Sequence, residues 1–130
     1  MVGWSPPPTL APPGGDGTRQ DEGVLPVLTV RVVGPSMEPT LRNGDWWIAR
    51  RGGRVRMGDV VLVAHPERPG LRVVKRAVRR SEDGWWVEGD NPTASEDSRT
   101  FGPVAEDLVV ARLLLRYRPL PLKRLRRHGG

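Results

Sequence analysis

The sequence contains no cysteine. Disulfides, thiolate metal sites and cysteine nucleophiles are therefore excluded together. No apolar run approaches the ~18 residues that a membrane-spanning helix needs. The N-terminus does not set an apolar stretch behind a basic one, so no secretory signal is read there and a cytoplasmic protein is expected. Lysine is nearly absent as well. Of 21 cationic side chains only Lys75 and Lys123 are lysines, the rest being arginine, and the net charge is +6. A guanidinium stays protonated at any working pH and cannot act as a base. A cation able to give up its proton therefore stands at two positions, and Lys75 is the one inside the folded region. The two histidines are poorly placed for the same work: His65 sits in a Pro-rich loop and His128 near the C-terminus.

The 130 residues leave room for one domain. Residues 1–26 are rich in Pro and Gly with little apolar periodicity, and read as a disordered leader carrying one tryptophan, Trp4. Short β segments punctuated by turn residues follow. Val27 to Val33 is a strand, closed by Gly34-Pro35. Asn43-Gly44-Asp45 is strong turn chemistry and precedes a strand at Trp46 to Ala49. Gly58-Asp59 turns into a buried strand, Val60 to Ala64. Leu71 to Arg79 and Trp85 to Glu88 form a hairpin about Glu82-Asp83-Gly84. Leu108 to Tyr117 closes the domain, and short helices are expected near Pro39–Leu41 and Val104–Leu108. Even spacing of short strands predicts a mainly β fold, a coiled, folded-over antiparallel sheet or barrel with few short helices. The domain spans 27–117, and residues 118–130 form a basic disordered tail able to touch an anionic surface. Strand neighbours point to opposite faces, so Trp46/Trp47 and Trp85/Trp86 should each send one ring inward and one outward.

The stretch Gly34-Pro35-Ser36-Met37-Glu38-Pro39-Thr40-Leu41 is the centre of the functional reading. Ser36 falls where a strand breaks into a turn, held between two prolines. A small nucleophile fixed between rigid points is what acyl transfer requires. A serine also needs a base. Lys75 lies inside an apolar strand, among Val73, Val74, Ala77 and Val78, where burial disfavours the ammonium and lowers its pKa. Reaching half-neutrality near physiological pH requires a fall of about three units, or about 4 kcal/mol. Arg76 should face the other side of that strand. A third stretch, Gly89 to Val104, supplies support: Gly89-Asp90-Asn91-Pro92 is a tight turn, Ser95 is placed to bond the Lys75 amine, and Asp97 and Arg99 share a face of an extended segment and can pair.

Together these stretches resemble the type I signal peptidase family of Ser/Lys proteases. Gly34 to Leu41, Gly58-Asp59-Val60-Val61, Lys75-Arg76, and Gly89-Asp90-Asn91 with Ser95, Asp97-Ser98-Arg99 and Phe101-Gly102-Pro103-Val104 follow its four boxes in order. The resemblance covers roughly residues 28 to 115. It implies peptide hydrolysis with Ser36 as nucleophile and Lys75 as general base, no metal or other cofactor, and a supporting set of Gly34, Met37, Asn91, Ser95, Asp97 and Arg99. The Ser36 N–H would be one oxyanion donor. Some members add a hydroxyl two residues before the nucleophile, where this chain has Gly34. Ordinary members also carry a membrane helix before the nucleophile, where this chain has a Pro/Gly stretch. The segments Lys75-Arg76-Ala77-Val78, Trp85 to Asn91 and Leu113-Leu114-Leu115-Arg116-Tyr117 resemble the nickel-type superoxide dismutase maturation proteases. That likeness implies a precursor polypeptide as partner, the dismutase precursor in particular, and no nucleic acid. The alternative is general signal-peptidase-like processing at a membrane, with weak surface contact through the basic tail. A self-cleaving repressor would need a helix-turn-helix, which the leader does not offer.

Overall fold

The computed structural model describes residues 26–94 and 96–125. The leader up to residue 25, Trp4, Ser95 and His128 therefore lie outside the described residues. Among the described residues seven strands form one antiparallel sheet: β1 (Val27–Arg31), β2 (Trp46–Arg51), β3 (Val60–Ala64), β4 (Arg72–Ser81), β5 (Gly84–Glu88), β6 (Val109–Arg118) and β7 (Lys123–Arg124). The spatial order is β1-β2-β6-β3-β4-β5, with β7 paired to β6. The mainly β expectation holds, with one correction: β1 and β5 end the order without meeting, so the sheet stays open and is not a closed barrel.

The coiling has an identifiable cause. Register slips interrupt the β2–β6 ladder at Trp46/Trp47 and Ile48/Ala49, the β3–β6 ladder at Leu62/Val63 and the β4–β5 ladder at Ala77/Arg79. Each extra residue bends its strand and sharpens the local twist. The curled sheet encloses two apolar clusters. One gathers Val30, Val32, Met37, Leu41, Trp47, Leu62 and Val74; the other gathers Val61, Val63, Val73, Ala77, Trp85, Val87 and Val104. Alternate residues of β3 and β4 go to different clusters, so both faces of these strands are covered. This explains why Val60 to Val63 is an unbroken apolar run, not an alternating one.

The tryptophan pairs divide as strand geometry requires. Trp47 and Trp85 are buried. Trp46 and Trp86 turn outward and are each capped by a guanidinium, Arg31 at 6.0 Å and Arg79 at 4.5 Å from the ring centroid. The β4–β5 hairpin turns at Gly84, whose φ is +132°. A Cβ there would lie 2.0 Å from the carbonyl oxygen of Val104, so the position admits no side chain.

Four expectations change in detail. Pro39–Leu41 is a hydrogen-bonded turn and not a helix, closed by the Leu41 N–H to the Met37 carbonyl at 2.9 Å. The helical turn expected near Val104–Leu108 is a 3-10 turn at Glu106–Leu108. The segment around Asp97 is not extended: Asp97 caps a one-turn helix, α1 (Ser98–Phe101). Finally, the stretch from residue 118 contributes β7, where Lys123 and Arg124 pair with Arg116 and Leu115, so this part of the tail is ordered strand.

Candidate active site

The turn after β1 is held from inside and from outside. Gly34 adopts φ +91° and its N–H donates to Asn43 Oδ1 at 2.8 Å. Met37 and Leu41 are buried in the first cluster and anchor the turn to the sheet. From outside, the Asn91 N–H donates to the Ser36 carbonyl at 2.8 Å, and Asn91 Nδ2 donates to the Pro35 carbonyl at 3.1 Å. The Asp90 N–H points at the Met37 sulfur at 3.4 Å. Gly34, Met37 and Asn91 thus all act on the backbone around Ser36. The serine itself is 0% exposed, and its Oγ makes no hydrogen bond to Lys75 or to any other group. A buried hydroxyl without a partner costs about 1–3 kcal/mol. Buried polar atoms on Trp47, Arg51 and Arg116 share this state, so it is the setting of Ser36 on the pinned turn that sets it apart.

Lys75 lies on β4, opposite Val61 of β3 and on the same face as Val73 and Ala77. It is 2% exposed. Burial pulls its pKa down from 10.5 to about 8, against the raising influence of Asp97 and then Glu96; Arg99 adds a smaller lowering. The fall is of the kind that the apolar strand predicts. At neutral pH a usable fraction of the amine is uncharged, which a general base requires.

The neighbouring cation is treated differently. Arg76 is 6% exposed and points to the other face. Its Nε and Nη2 donate to the two oxygens of Asp90 at 2.9 and 2.7 Å, and its Nη1 to the Gly58 carbonyl at 2.7 Å. Asp90 Oδ2 also accepts from the Thr40 hydroxyl at 2.6 Å. This clasp joins the Ser36 turn, the Gly58 turn and the Asp90-Asn91 turn. It is the chief feature that sequence reasoning missed. A signal was available: a guanidinium on a buried strand face requires a carboxylate, and Gly89-Asp90-Asn91 supplies one.

The support stretch is built around Asp97. One oxygen accepts from the Arg99 N–H at 3.1 Å and Nε at 2.9 Å; the other accepts from the Gly89 N–H at 2.9 Å. The expected Asp97–Arg99 pairing is present, and the hydrogen bond raises the Arg99 pKa. Ser98, given no role of its own in the sequence reading, accepts from the Val87 N–H at 2.8 Å. Ser95 lies outside the described residues. His65 is fully occupied elsewhere: its Nδ1 accepts from the Glu67 N–H at 3.0 Å, so Nε2 carries the proton towards Glu96 at 3.1 Å.

Two grooves, of about 960 Å³ near Arg54, Arg56, Trp85 and Arg112 and about 550 Å³ near Asp59, Val60, Leu113 and Leu115, have neither Ser36 nor Lys75 among their lining residues. Among the described residues no group of three or more His, Asp or Glu side chains is gathered as for a metal ion.

Ser36 stands buried on a pinned turn, and Lys75, with its lowered pKa, on a central strand of the coiled antiparallel sheet; the sequence motifs assign both to a peptidase. The sequence comparisons agree: residues 21–112 match the Peptidase S24-like family, and the chain belongs to it. Its relatives are mitochondrial proteases. It is 37% identical to the mitochondrial ATP-independent inner membrane protease subunit 1a of Arabidopsis thaliana, over 72% of this chain and 71% of that one. It is 33% identical to the mitochondrial inner membrane protease subunit 1 of Xenopus tropicalis, over 69% and 71%. The human subunit 1 is 31% identical over 67% of each chain. The signal-peptidase-like expectation therefore holds at the level of this superfamily, and the narrower likeness to dismutase maturation proteases is not what these relatives bring. No described helix is long and apolar enough to cross a membrane.

Proposed function

We propose that the chain is a serine endopeptidase that removes an N-terminal leader from precursor polypeptides, in the general manner of signal peptidases. The observation that carries this reading is the orphaned, buried Ser36 hydroxyl on a turn clasped to the strand of Lys75, whose amine has a pKa near 8. The relatives' names, as inner membrane protease subunits, support processing close to a membrane. The catalytic unit spans residues 27–117.

In this reading the Lys75 amine takes the proton from Ser36 Oγ as the oxygen attacks the scissile carbonyl. The tetrahedral oxyanion is met by the Ser36 N–H. The Lys75 ammonium returns its proton to the departing amine. Lys75 then deprotonates a water that releases the acyl group from Ser36. Hydrogen bonds between nucleophile and base are commonly formed only when substrate closes the site, so the unbonded hydroxyl suits a resting enzyme. Gly34 brings no hydroxyl, and its N–H is given to Asn43. A second oxyanion donor therefore comes from elsewhere. Asn91, Met37 and Gly34 hold the turn, while Asp97 and Arg99 hold the region beside Lys75. Ser95, which by order follows the same box, is the residue assigned to orient the amine.

Incubation with a leader-bearing peptide that has small residues before the cut, followed by mass analysis, tests the reading. Cleavage by the native chain and none by Ser36→Ala or Lys75→Ala supports it; undiminished cleavage by either variant refutes it. A narrower reading, the nickel-type superoxide dismutase precursor as dedicated substrate, is favoured by the Lys75-Arg76-Ala77-Val78 and Trp85 to Asn91 segments. It predicts cleavage of that precursor with little activity on other leaders. Activity on membrane-sorted leaders in general favours the broader one. The basic residues near the C-terminus are assigned weak contact with an anionic membrane surface. Sedimentation with and without anionic vesicles separates this from a cytoplasmic protein.

A further inference from the structure

His65 has no part in the reaction described above, yet the fold spends a buried site on it, 6% exposed. It follows β3 and fixes its ring by three contacts. Nδ1 accepts from the Glu67 N–H at 3.0 Å, Nε2–H donates to Glu96 Oε1 at 3.1 Å, and the ring tilts against Phe101 with centroids 4.9 Å apart. Glu96 and Phe101 stand at the two ends of one short stretch. Between them lie Asp97, Ser98, Arg99 and Thr100. Arg68, from the same loop as His65, adds a guanidinium to Glu96 at 3.6 Å. On its inner side the stretch runs along β5, with Asp97 accepting from Gly89 and Ser98 from Val87. Phe101 packs on the cluster of Val61, Val73, Ala77 and Val87, on the Lys75 face of β4.

We infer that His65 is a positioning residue, which grips the stretch 96–101 at both ends and holds it as a wall beside Lys75. The charged groups acting on Lys75 are Asp97, Glu96 and Arg99, and all three come from this stretch. Its functional meaning rests on Lys75 being the base, but its test does not. If the wall loosens, water reaches the amine, and desolvation, the strongest influence there, is relieved. Loss of the Asp97 and Glu96 carboxylates acts the other way and is the weaker influence.

The scarcity of lysine makes the test direct. The full chain labelled with [13Cε]lysine gives two resonances, and the exposed Lys123 serves as internal reference. The native Lys75 signal titrates near the value of about 8. In His65→Ala the midpoint rises by about half a unit or more, towards the solvated value. His65→Gln, which keeps an N–H for Glu96, restores most of the native midpoint. Phe101→Leu, which loosens the other end and leaves His65 in place, gives a smaller rise. Thermal melts confirm that each variant is folded. A Lys75 midpoint that is unchanged or lower in folded His65→Ala, or in folded Phe101→Leu should His65→Ala not fold, overturns the inference. So does a Gln variant that shifts as far as Ala. A rise in midpoint, with Lys75→Ala still cleaving peptide, leaves the His65 grip standing and removes only the reading of Lys75 as base.

Discussion

Lys75 and Arg76 are adjacent on one strand, and both are buried, yet the fold handles their charges in opposite ways. Arg76 keeps its charge and is surrounded by acceptors, the Asp90 carboxylate and the Gly58 carbonyl, all within 2.9 Å. Lys75 is set among valines, and burial moves it towards neutrality. A buried cation can be matched or discharged, and only the second solution yields a base. The strand thus uses its two faces for two purposes: one face ties three turns together, and the other holds an amine whose pKa burial lowers to about 8.

Exchanging the two solutions should have the largest effect. Lys75→Arg places a permanent charge where the proposed mechanism needs a neutral amine, and on that mechanism peptide cleavage should fall by about a thousandfold or more. Retained activity in that variant would end the distinction between the faces. Next, Asp90→Ala leaves the Arg76 charge buried without its carboxylate, and should destabilise the chain by about 3–5 kcal/mol in denaturant titrations. A loss below about 1 kcal/mol would mean that the clasp is solvated and works like a surface pair.

The third effect has the opposite sign. The Lys75 pKa lies lower in the folded chain, about 8 against 10.5, so between these values the folded state binds fewer protons than the unfolded one. Stability contributed at this position therefore rises with pH through that window, and below it the full desolvation cost is present. Lys75→Met should stabilise the protein at pH 7 by up to about 3 kcal/mol, a gain that shrinks as pH approaches the unfolded value. Matched unfolding curves at pH 7 and pH 10 check this. Under the proposed mechanism the same titration sets activity, which should climb with pH through a midpoint near 8. The smallest effect concerns the rim of the clasp. Thr40→Val removes one hydrogen bond to Asp90, whose oxygens keep both bonds from Arg76, and should cost about 1 kcal/mol.

Much of this was legible before any coordinates. Gly, Pro and Asn-Gly punctuation marks the strands β1 to β6 within a few residues, because backbone freedom and missing donors act locally. The paired tryptophans divide as alternation dictates. Lys75 among valines carries its own account of a lowered pKa. What stayed hidden depends on distance in the chain. Nothing local to Arg76 says that Asp90 will meet it, and nothing local to His65 says that Glu96 and Phe101 will. The helix α1 was missed because four residues show no period; Asp97, read as an ion-pair partner, is also its N-cap. Ser98 looks like any loop serine until the Val87 N–H needs an acceptor. The two residues of β7 were read as tail because a Pro-interrupted basic stretch carries no strand pattern, and only the exposed ladder of β6 gives them a place.

The indole of Trp47 has a use that follows from where it is packed. It is fully buried, its N–H bonds to nothing, and it shares one apolar cluster with Met37 and Leu41 of the Ser36 turn. The ring therefore sits in a buried apolar site that includes the underside of that turn. A peptide seated against Ser36, or a Met37→Ala cavity beneath it, changes what the ring touches; since the sequence has five tryptophans, the Trp47 share of the emission is read by difference against a Trp47→Phe variant, without any added label.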